Sequence, residues 1–135
     1  MSDADSRGPQ VDPVEDAYRA IVVPEWWNNA TDPPRVSSLA FKVRIPFSVN
    51  LVSLMSLEDA VQHMSRKLRC PHGGIVSFNC GDARSLGFDP RKEKDLRNPD
   101  NIAHAHVYWD GSNNKRKSAA KRLAQLCQVR HQPSF

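Results

Sequence analysis

Apolar and polar positions follow two periods along the chain, one typical of helices and one typical of strands. The clearest helix follows Ser56, a residue type that favours the helix N-cap. Its apolar stripe recurs at the spacing of one helix face, at Leu57, Ala60, Val61, Met64 and Leu68. Further helical segments are predicted over residues 14–23, 81–86 and 115–128.

Strand patterns separate these helical segments. Apolar and polar residues alternate over residues 36–45, 48–54 and 102–109, and the apolar run over 75–78 is typical of a buried strand. Residues 88–101 are charged and rich in turn-forming residues, so we expect a long loop there. This order of elements predicts an α+β domain in which two main helices pack on a small antiparallel or mixed sheet.

Chain length limits the number of domains. A chain of 135 residues has enough length for one modest hydrophobic core. We expect a flexible acidic arm over residues 1–13, a single α+β domain over 14–130 and a tail over 131–135, because the first residues are small, polar or acidic. No apolar run has the length of a membrane span and no signal peptide is recognisable, so the expected location is the cytosol.

The net charge of +4 hides an uneven distribution. Residues 1–34 carry two basic and seven acidic side chains, a net charge of −5, whereas residues 35–135 carry 17 basic and eight acidic ones, a net charge of +9. Residues 111–135 contain six basic residues and no acidic one. This asymmetry predicts an anionic partner, either nucleic acid or an acidic protein.

The last predicted helix begins with three consecutive cations. Positive charge at a helix N-terminus opposes the helix dipole, so stability alone favours acidic residues there. The cluster therefore predicts a phosphate site, and the alternative is a solvated basic face. Two cations of the earlier helix extend the patch if both helices lie on the same side of the sheet. The candidate anion-binding residues are Lys115, Arg116, Lys117, Lys121, Arg122, Arg84, Arg66 and Lys67.

The strand over residues 102–109 carries candidate catalytic groups. Alternation places His104, His106 and Tyr108 on one face of it. Two neighbouring imidazoles can divide the acid and base roles across a phosphodiester. The alternative is structural, since a histidine on a half-exposed sheet face is also satisfied by hydrogen bonds to backbone.

Metal and cofactor sites are poorly supported by the motifs. Cys70, His72 and Cys80 could join a histidine of the strand in a zinc site, but paired Cys-x-x-Cys ligands are absent from the sequence. The glycine-containing loops lack the spacing of a P-loop or a dinucleotide fingerprint. The sequence therefore predicts neither a bound metal nor a cofactor.

Two adjacent indoles, Trp26 and Trp27, lie in a polar, turn-rich stretch. One interpretation is a hydrophobic latch that holds the N-terminal region on the core. The other is a contact site for a partner or for a stacked base.

Three stretches together resemble a group of small bacterial proteins of unknown function. They are RVSSLAF at residues 35–41, GDARSLGF at 81–88, and Asn98-Pro99 followed by Ala-His-Ala at 103–105. The resemblance spans residues 35–126 and implies a bacterial domain whose last strand is followed by a lysine-rich helix. It implies no reaction. Extra residues separate Pro99 from His104, and the position of His106 is more often apolar in that group, which leaves His104 as the stronger candidate.

Three functions follow from these patterns. The leading hypothesis is a non-enzymatic bacterial binding module whose basic C-terminal helix docks on nucleic acid or an acidic protein, as a subunit of a larger defence or toxin-type assembly. The first alternative is a metal-independent ribonuclease or phosphodiesterase toxin, with His104 as acid or base, a second proton-transfer group on the same strand, and Arg84 or the helix lysines stabilising phosphate. The second alternative is a structural protein–protein scaffold.

Overall fold

The computed structural model of the chain describes residues 6–42 and 45–135. The strands are β1 Asp16–Ile21, β2 Trp27–Asn28, β3 Arg35–Val36, β4 Phe47–Leu51, β5 Gly74–Asn79, β6 Phe88–Lys92, β7 His104–Trp109 and β8 Gln128–His131. The α-helices are α1 Leu39–Lys42, α2 Leu57–Arg66, α3 Cys80–Ser85 and α4 Asn113–Leu126. Two 3-10 turns, Pro24–Trp26 and Val52–Leu54, complete these elements.

Six strands form one sheet in the order β6–β7–β4–β1–β5–β8, and β2 pairs with β3 in a separate ribbon. Each pair of neighbours is antiparallel. The α+β architecture predicted from the order of elements is confirmed.

The two main helices cover opposite faces of this sheet. Ala17 and Ile21 of β1 belong to a core that α4 covers with Leu123. Tyr18, which points the other way from Ala17, packs with Met64 of α2. We refer to these two faces as the α4 side and the α2 side.

Local signals account for α2. The Ser56 hydroxyl accepts a hydrogen bond from the Asp59 amide at 3.1 Å, as expected of an N-cap. Ala60 and Met64, four residues apart, are the buried positions of the helix. The prediction of this helix is confirmed, with an end at Arg66.

The predicted helix over residues 14–23 is wrong. This segment contains β1, which pairs with β5 along its length and with β4 on its other edge. Ala17 and Tyr18 are both buried, on opposite faces, and a strand between two neighbours can bury adjacent residues in this way. Tertiary pairing therefore overrides a spacing that a helix would also satisfy.

The predicted strand over residues 36–45 is also largely wrong. Only β3 is extended, and α1 follows it, with the Ser37 hydroxyl accepting from the Leu39 amide at 3.2 Å. Ala40 and Phe41 are both buried on the α4 side, where the Phe41 ring meets Phe47 at a centroid distance of 5.6 Å. Residues 43 and 44 of the prediction lie outside the described residues.

The loop predicted over residues 88–101 contains β6. Asp89-Pro90 suggests a turn in sequence, but β6 is the last strand of the sheet and pairs only with β7 among the named strands, so Pro90 is tolerated. Similarly, α4 ends at Leu126, before the predicted residue 128, because β8 follows at once and pairs with β5. The predicted strand over 48–54 ends at Leu51, where a 3-10 turn begins.

The domain boundaries at 14 and 130 are too narrow for the contacts observed. From residue 6 onward the predicted flexible arm lies along β6, with the Val11 amide donating to the Pro90 carbonyl at 3.1 Å and the Lys92 amide to the Pro9 carbonyl at 2.8 Å. Residues 1–5 of the arm lie outside the described residues. In the tail, the Ser134 amide donates to the His72 carbonyl at 2.9 Å.

Membrane-spanning helices were sought among the described residues. None of the helices there has both the length and the apolar character that a bilayer crossing requires.

Candidate functional site

A continuous group of polar side chains lies on the α2 side of three neighbouring strands. It arises because the alternate residues of each strand, such as Val49, Phe88 and Val107, point into the core on the α4 side. The strand register places Ser48 opposite His106, and Asp89 opposite Tyr108. We call this group the polar sheet face; its members are Ser48, Asn50, Asp89, Arg91, His104, His106 and Tyr108.

Glu93, just after β6, connects the polar sheet face. Its carboxylate accepts hydrogen bonds from the Tyr108 hydroxyl at 2.6 Å, from His106 Nδ1 at 2.9 Å and from the Gly8 amide at 2.7 Å. Burial opposes the charge on Glu93, but these hydrogen bonds together outweigh it and lower the pKa of the carboxyl group. Glu93 therefore orients His106 as an ionised carboxylate.

Tyr108 serves as a donor in this cluster. Burial, followed by the hydrogen bond to Glu93, raises the pKa of the Tyr108 hydroxyl to about 12. The Arg7 guanidinium lies over the Tyr108 ring, 4.2 Å from its centroid. At neutral pH Tyr108 is therefore protonated and held in place from both sides.

His104 is 4% exposed, and both of its ring nitrogens have partners. Nδ1 contacts the Glu93 carbonyl oxygen at 2.7 Å, and Nε2 contacts Ser48 Oγ at 3.1 Å. Burial lowers the pKa of His104, which favours the neutral ring. The His106 ring is nearly perpendicular to it, with 4.6 Å between the ring centroids. The predicted histidine pair is thus brought together, with one ring buried and one half-exposed.

Two open clefts adjoin His104. The larger, of about 520 Å³, lies between α2 and the segment after β6 and is lined by His63, Lys67 and Arg97, among others. The smaller, of about 300 Å³, is lined by Glu93 and His104, among others. The clefts share Pro99, Asn101 and Ile102.

An ion cluster holds the N-terminal segment against the polar sheet face. Arg7 binds the Asp89 and Asp110 carboxylates at 2.7 Å each. Arg91 binds Asp89 at 2.8 Å and also donates to the Gly8 carbonyl at 3.2 Å. These arginines neutralise the buried Asp89, so both are committed to structure.

The cations of α4 are arranged differently. Ala119, Ala120, Leu123 and Ala124 face the core, while Lys115, Lys117, Lys121 and Arg122 are exposed and Arg116 is half-buried. Within residues 6–42 and 45–135, none of these five cations forms an ion pair. The Ser112 hydroxyl at the N-cap binds the Asn114 side chain instead of a backbone amide of the helix.

The other predicted cations do not join α4. Arg66 and Lys67 are exposed at the end of α2, on the opposite side of the sheet, so they do not extend its patch. Arg84 belongs to α3 and donates to the Pro90 carbonyl at 3.2 Å, which anchors β6.

Both indoles are buried, which argues against the predicted partner site at Trp26 and Trp27. Each belongs to the core on the α4 side. The Arg19 guanidinium lies over the Trp26 ring at 4.7 Å, and Trp27 Nε1 donates to Asn29 Oδ1 at 3.0 Å. The two side chains therefore fasten this segment to the core, as in the latch interpretation.

The cysteines show no sign of chemistry. Cys80 is fully buried, and burial raises the pKa of its thiol to about 12, so it is not a thiolate nucleophile. In the part of the chain that the structure describes, no group of three or more His, Cys, Asp or Glu side chains is placed to hold a metal ion.

Comparison with known proteins gives no significant match to a family model, a curated protein or a solved structure. The resemblance to small bacterial proteins therefore stays a prediction. Function has to be inferred from the geometry of α4 and of the polar sheet face.

Three site residues escaped the sequence analysis. Glu93 lies in a segment interpreted as a loop, Ser48 alternates with apolar residues on a strand, and Arg7 lies in the expected flexible arm. A signal for Ser48 was present, since its strand was predicted and its polar face could have been matched to that of the histidine strand. The partners of Glu93 and Arg7 are far away in sequence, and no local pattern indicates them.

Proposed function

We propose that the chain is a cytosolic module that binds nucleic acid through the outer face of α4. The observation that carries this proposal is the set of exposed cations on α4, which have no acidic partner among the described residues. Unpaired cations that share one helix face are costly at a helix N-terminus and favourable beside phosphates.

The spacing of these side chains suits a phosphate backbone. Lys117 and Lys121 are four residues apart, and Lys115 and Arg122 are seven apart, so they form neighbouring rows on a helix. The rows extend along about 10 Å of the helix axis, at 1.5 Å per residue. The N-terminal amides of α4, which the Ser112 side chain does not cap, add further anion donors at the same end.

Nucleic acid is favoured over an acidic protein because most of the exposed cations of α4 are lysines. A lysine ammonium is a flexible point charge that suits a mobile phosphate chain, whereas recognition of a fixed carboxylate favours the planar fork of arginine. The helix is also the one long basic element in an acid-free stretch, residues 111–135.

The phosphodiesterase alternative receives less support. Its phosphate stabilisers were Arg84 and the lysines of α4. These lie on α3 and α4, whose buried residues pack on the α4 side, whereas His104 is on the α2 side. An acidic cluster of Asp89 and Glu93 also lies beside His106 and Tyr108.

The proposal is tested by fluorescence anisotropy with a labelled single-stranded RNA and a labelled DNA duplex at about 50 mM salt. We expect both to bind, with weaker binding as salt rises. The fourfold variant Lys115→Ala/Lys117→Ala/Lys121→Ala/Arg122→Ala should lose at least about tenfold in affinity, and its salt dependence should fall by about 3 in log–log slope for the duplex. Alanine favours helix, so α4 should stay folded.

The matched control is Arg66→Ala/Lys67→Ala, which removes two exposed cations from the opposite side of the sheet. Its affinity should equal that of the unaltered chain. Absence of binding to both nucleic acids, or an equal loss per charge in both variants, would overturn the proposal. Binding of a polyglutamate chain but of neither nucleic acid would instead assign the face to an acidic protein.

A further inference from the structure

The contact between Ser48 and His104 joins an exposed hydroxyl to a buried imidazole. We propose that Ser48 is a nucleophile and His104 its general base, and that the pair hydrolyses activated acyl esters. This inference is independent of α4 and goes beyond nucleic-acid binding.

The hydrogen-bond partners of His104 determine where its proton lies. The Glu93 carbonyl oxygen can only accept, so the Nδ1 at 2.7 Å from it carries the hydrogen. In the neutral ring Nε2 then has a lone pair, and it accepts from the Ser48 hydroxyl at 3.1 Å. This is the sequence of contacts that an activated serine requires: a nucleophile, a base, and a third group that orients the base.

The environment keeps this base free to accept a proton. Burial lowers the pKa of His104, so the neutral ring predominates at pH 7 and above. The Glu93 carbonyl belongs to the residue whose carboxylate is held by Tyr108, His106 and Gly8. The orienting oxygen is therefore fixed by three hydrogen bonds from three parts of the chain.

A substrate has access to the pair. Ser48 is exposed on β4, and His104 lines the cleft of about 300 Å³ that continues into the larger one. Asn50, two residues along the same strand face, accepts from Asn101 Nδ2 through its Oδ1 at 2.7 Å. Its own amide group is then a donor of the kind that stabilises a developing oxyanion.

The reaction proceeds in two balanced steps. Ser48 Oγ attacks the ester carbonyl carbon as its proton passes to His104 Nε2, the bond from carbon to the leaving oxygen breaks, and the leaving group departs with the electron pair. Water then attacks the acylated Ser48 as Nε2 takes up one of its protons. The acid leaves, and the hydroxyl is restored to Ser48.

The test uses a fluorophosphonate probe on the full chain, with the labelled peptide located by mass spectrometry. Attack by Ser48 releases fluoride and leaves a phosphonate on Oγ. We expect one adduct, at Ser48, and none in Ser48→Ala. The His104→Asn variant should label about 100-fold more slowly, since a general base contributes about 10²–10⁴ to such rates.

Two serines on the same chain serve as controls. Ser118→Ala removes an exposed hydroxyl of α4 and should leave labelling unchanged. Ser134 lies 3.4 Å from His72 Nδ1 in an exposed pair without an orienting carbonyl, and it should stay unlabelled. No adduct at Ser48, or equal labelling of Ser48 and Ser134, would overturn the proposal.

A cysteine variant keeps the proposal testable if His104→Asn does not fold. In Ser48→Cys, His104 accepts the thiol proton, so iodoacetamide should alkylate Cys at this position at least about tenfold faster at pH 7 than in Ser118→Cys. Equal alkylation rates would show that His104 does not act as a base toward position 48.

Discussion

Glu93 accepts hydrogen bonds from three elements that are distant in sequence. Its carboxylate receives the Tyr108 hydroxyl and His106 Nδ1 from β7, and the Gly8 amide from the N-terminal segment. An ionised acceptor strengthens each of these hydrogen bonds relative to a neutral one. The arrangement of the histidines therefore depends on the charge of a residue that lies outside every strand.

Removing that charge should have a measurable cost. Glu93→Gln keeps the size of the side chain but loses the charge and one acceptor oxygen, so we expect the free energy of unfolding to fall by about 1–3 kcal/mol. Urea denaturation followed by tryptophan fluorescence measures it. Glu25→Gln, at an exposed position, is the control and should change little. Equal stability of Glu93→Gln and the unaltered chain would show that the three hydrogen bonds contribute nothing net.

At the scale of elements, the segment of residues 6–11 extends the sheet beyond β6. Gln10 forms an isolated bridge with Arg91, and backbone hydrogen bonds join the segment to β6 at Pro90 and Lys92. Gly8 is required where the two backbones come closest, because a Cβ there would overlap the Lys92 carbonyl oxygen.

We therefore expect Gly8→Ala to release this segment from β6 without unfolding the domain. Overlap with backbone costs about 1–3 kcal/mol, so hydrogen exchange at the Val11 and Lys92 amides should accelerate by about tenfold or more. Exchange in β5 should stay unchanged. Gln10→Ala, an exposed position in the same segment, is the matched control and should exchange like the unaltered chain. Unchanged protection in Gly8→Ala would refute the close approach.

The elements that sequence analysis predicts well are those with local causes. The helix α2 has its N-cap and its apolar stripe within a dozen residues, and β7 and most of α4 likewise show their own periodicity. The strand β1 was missed because its conformation is decided by pairing with β4 and β5. The same distinction separates the site residues: His104 and His106 follow from one strand pattern, whereas Glu93 joins them only through the fold.

At the scale of the whole molecule, the sheet separates two chemistries. Exposed cations lie outside α4 on one side, and the other side has neutral imidazoles, hydroxyls and paired carboxylates. A sheet has one face for each set because strand side chains alternate. Nucleic-acid binding on one side and ester hydrolysis on the other are therefore separable by mutation, and neither set of variants should alter the other activity.

The global stability should depend on pH through His104 and His63. Burial lowers the pKa of both imidazoles from the ordinary value of 6.5, and His106, Glu93 and Asp95 are the other charged or titratable groups acting on His104. A base whose pKa is lowered in the folded state binds fewer protons there than in the unfolded state. Its contribution to stability is complete above pH 6.5 and is lost as the pH falls from 6.5 through the lowered folded value.

We therefore expect the urea midpoint to fall between about pH 7.5 and about pH 5.5, a range above the titration of ordinary carboxylates. His104→Asn should reduce that fall, whatever its effect on stability at the higher pH, because the variant has no imidazole to protonate at this position. His72→Asn, at an exposed site, should leave the fall unchanged. A midpoint that is independent of pH in the unaltered chain, or equally dependent in His104→Asn, would show that the buried imidazole accepts its proton at no cost to the fold. His104 would then lack the neutral state on which its role as a base depends.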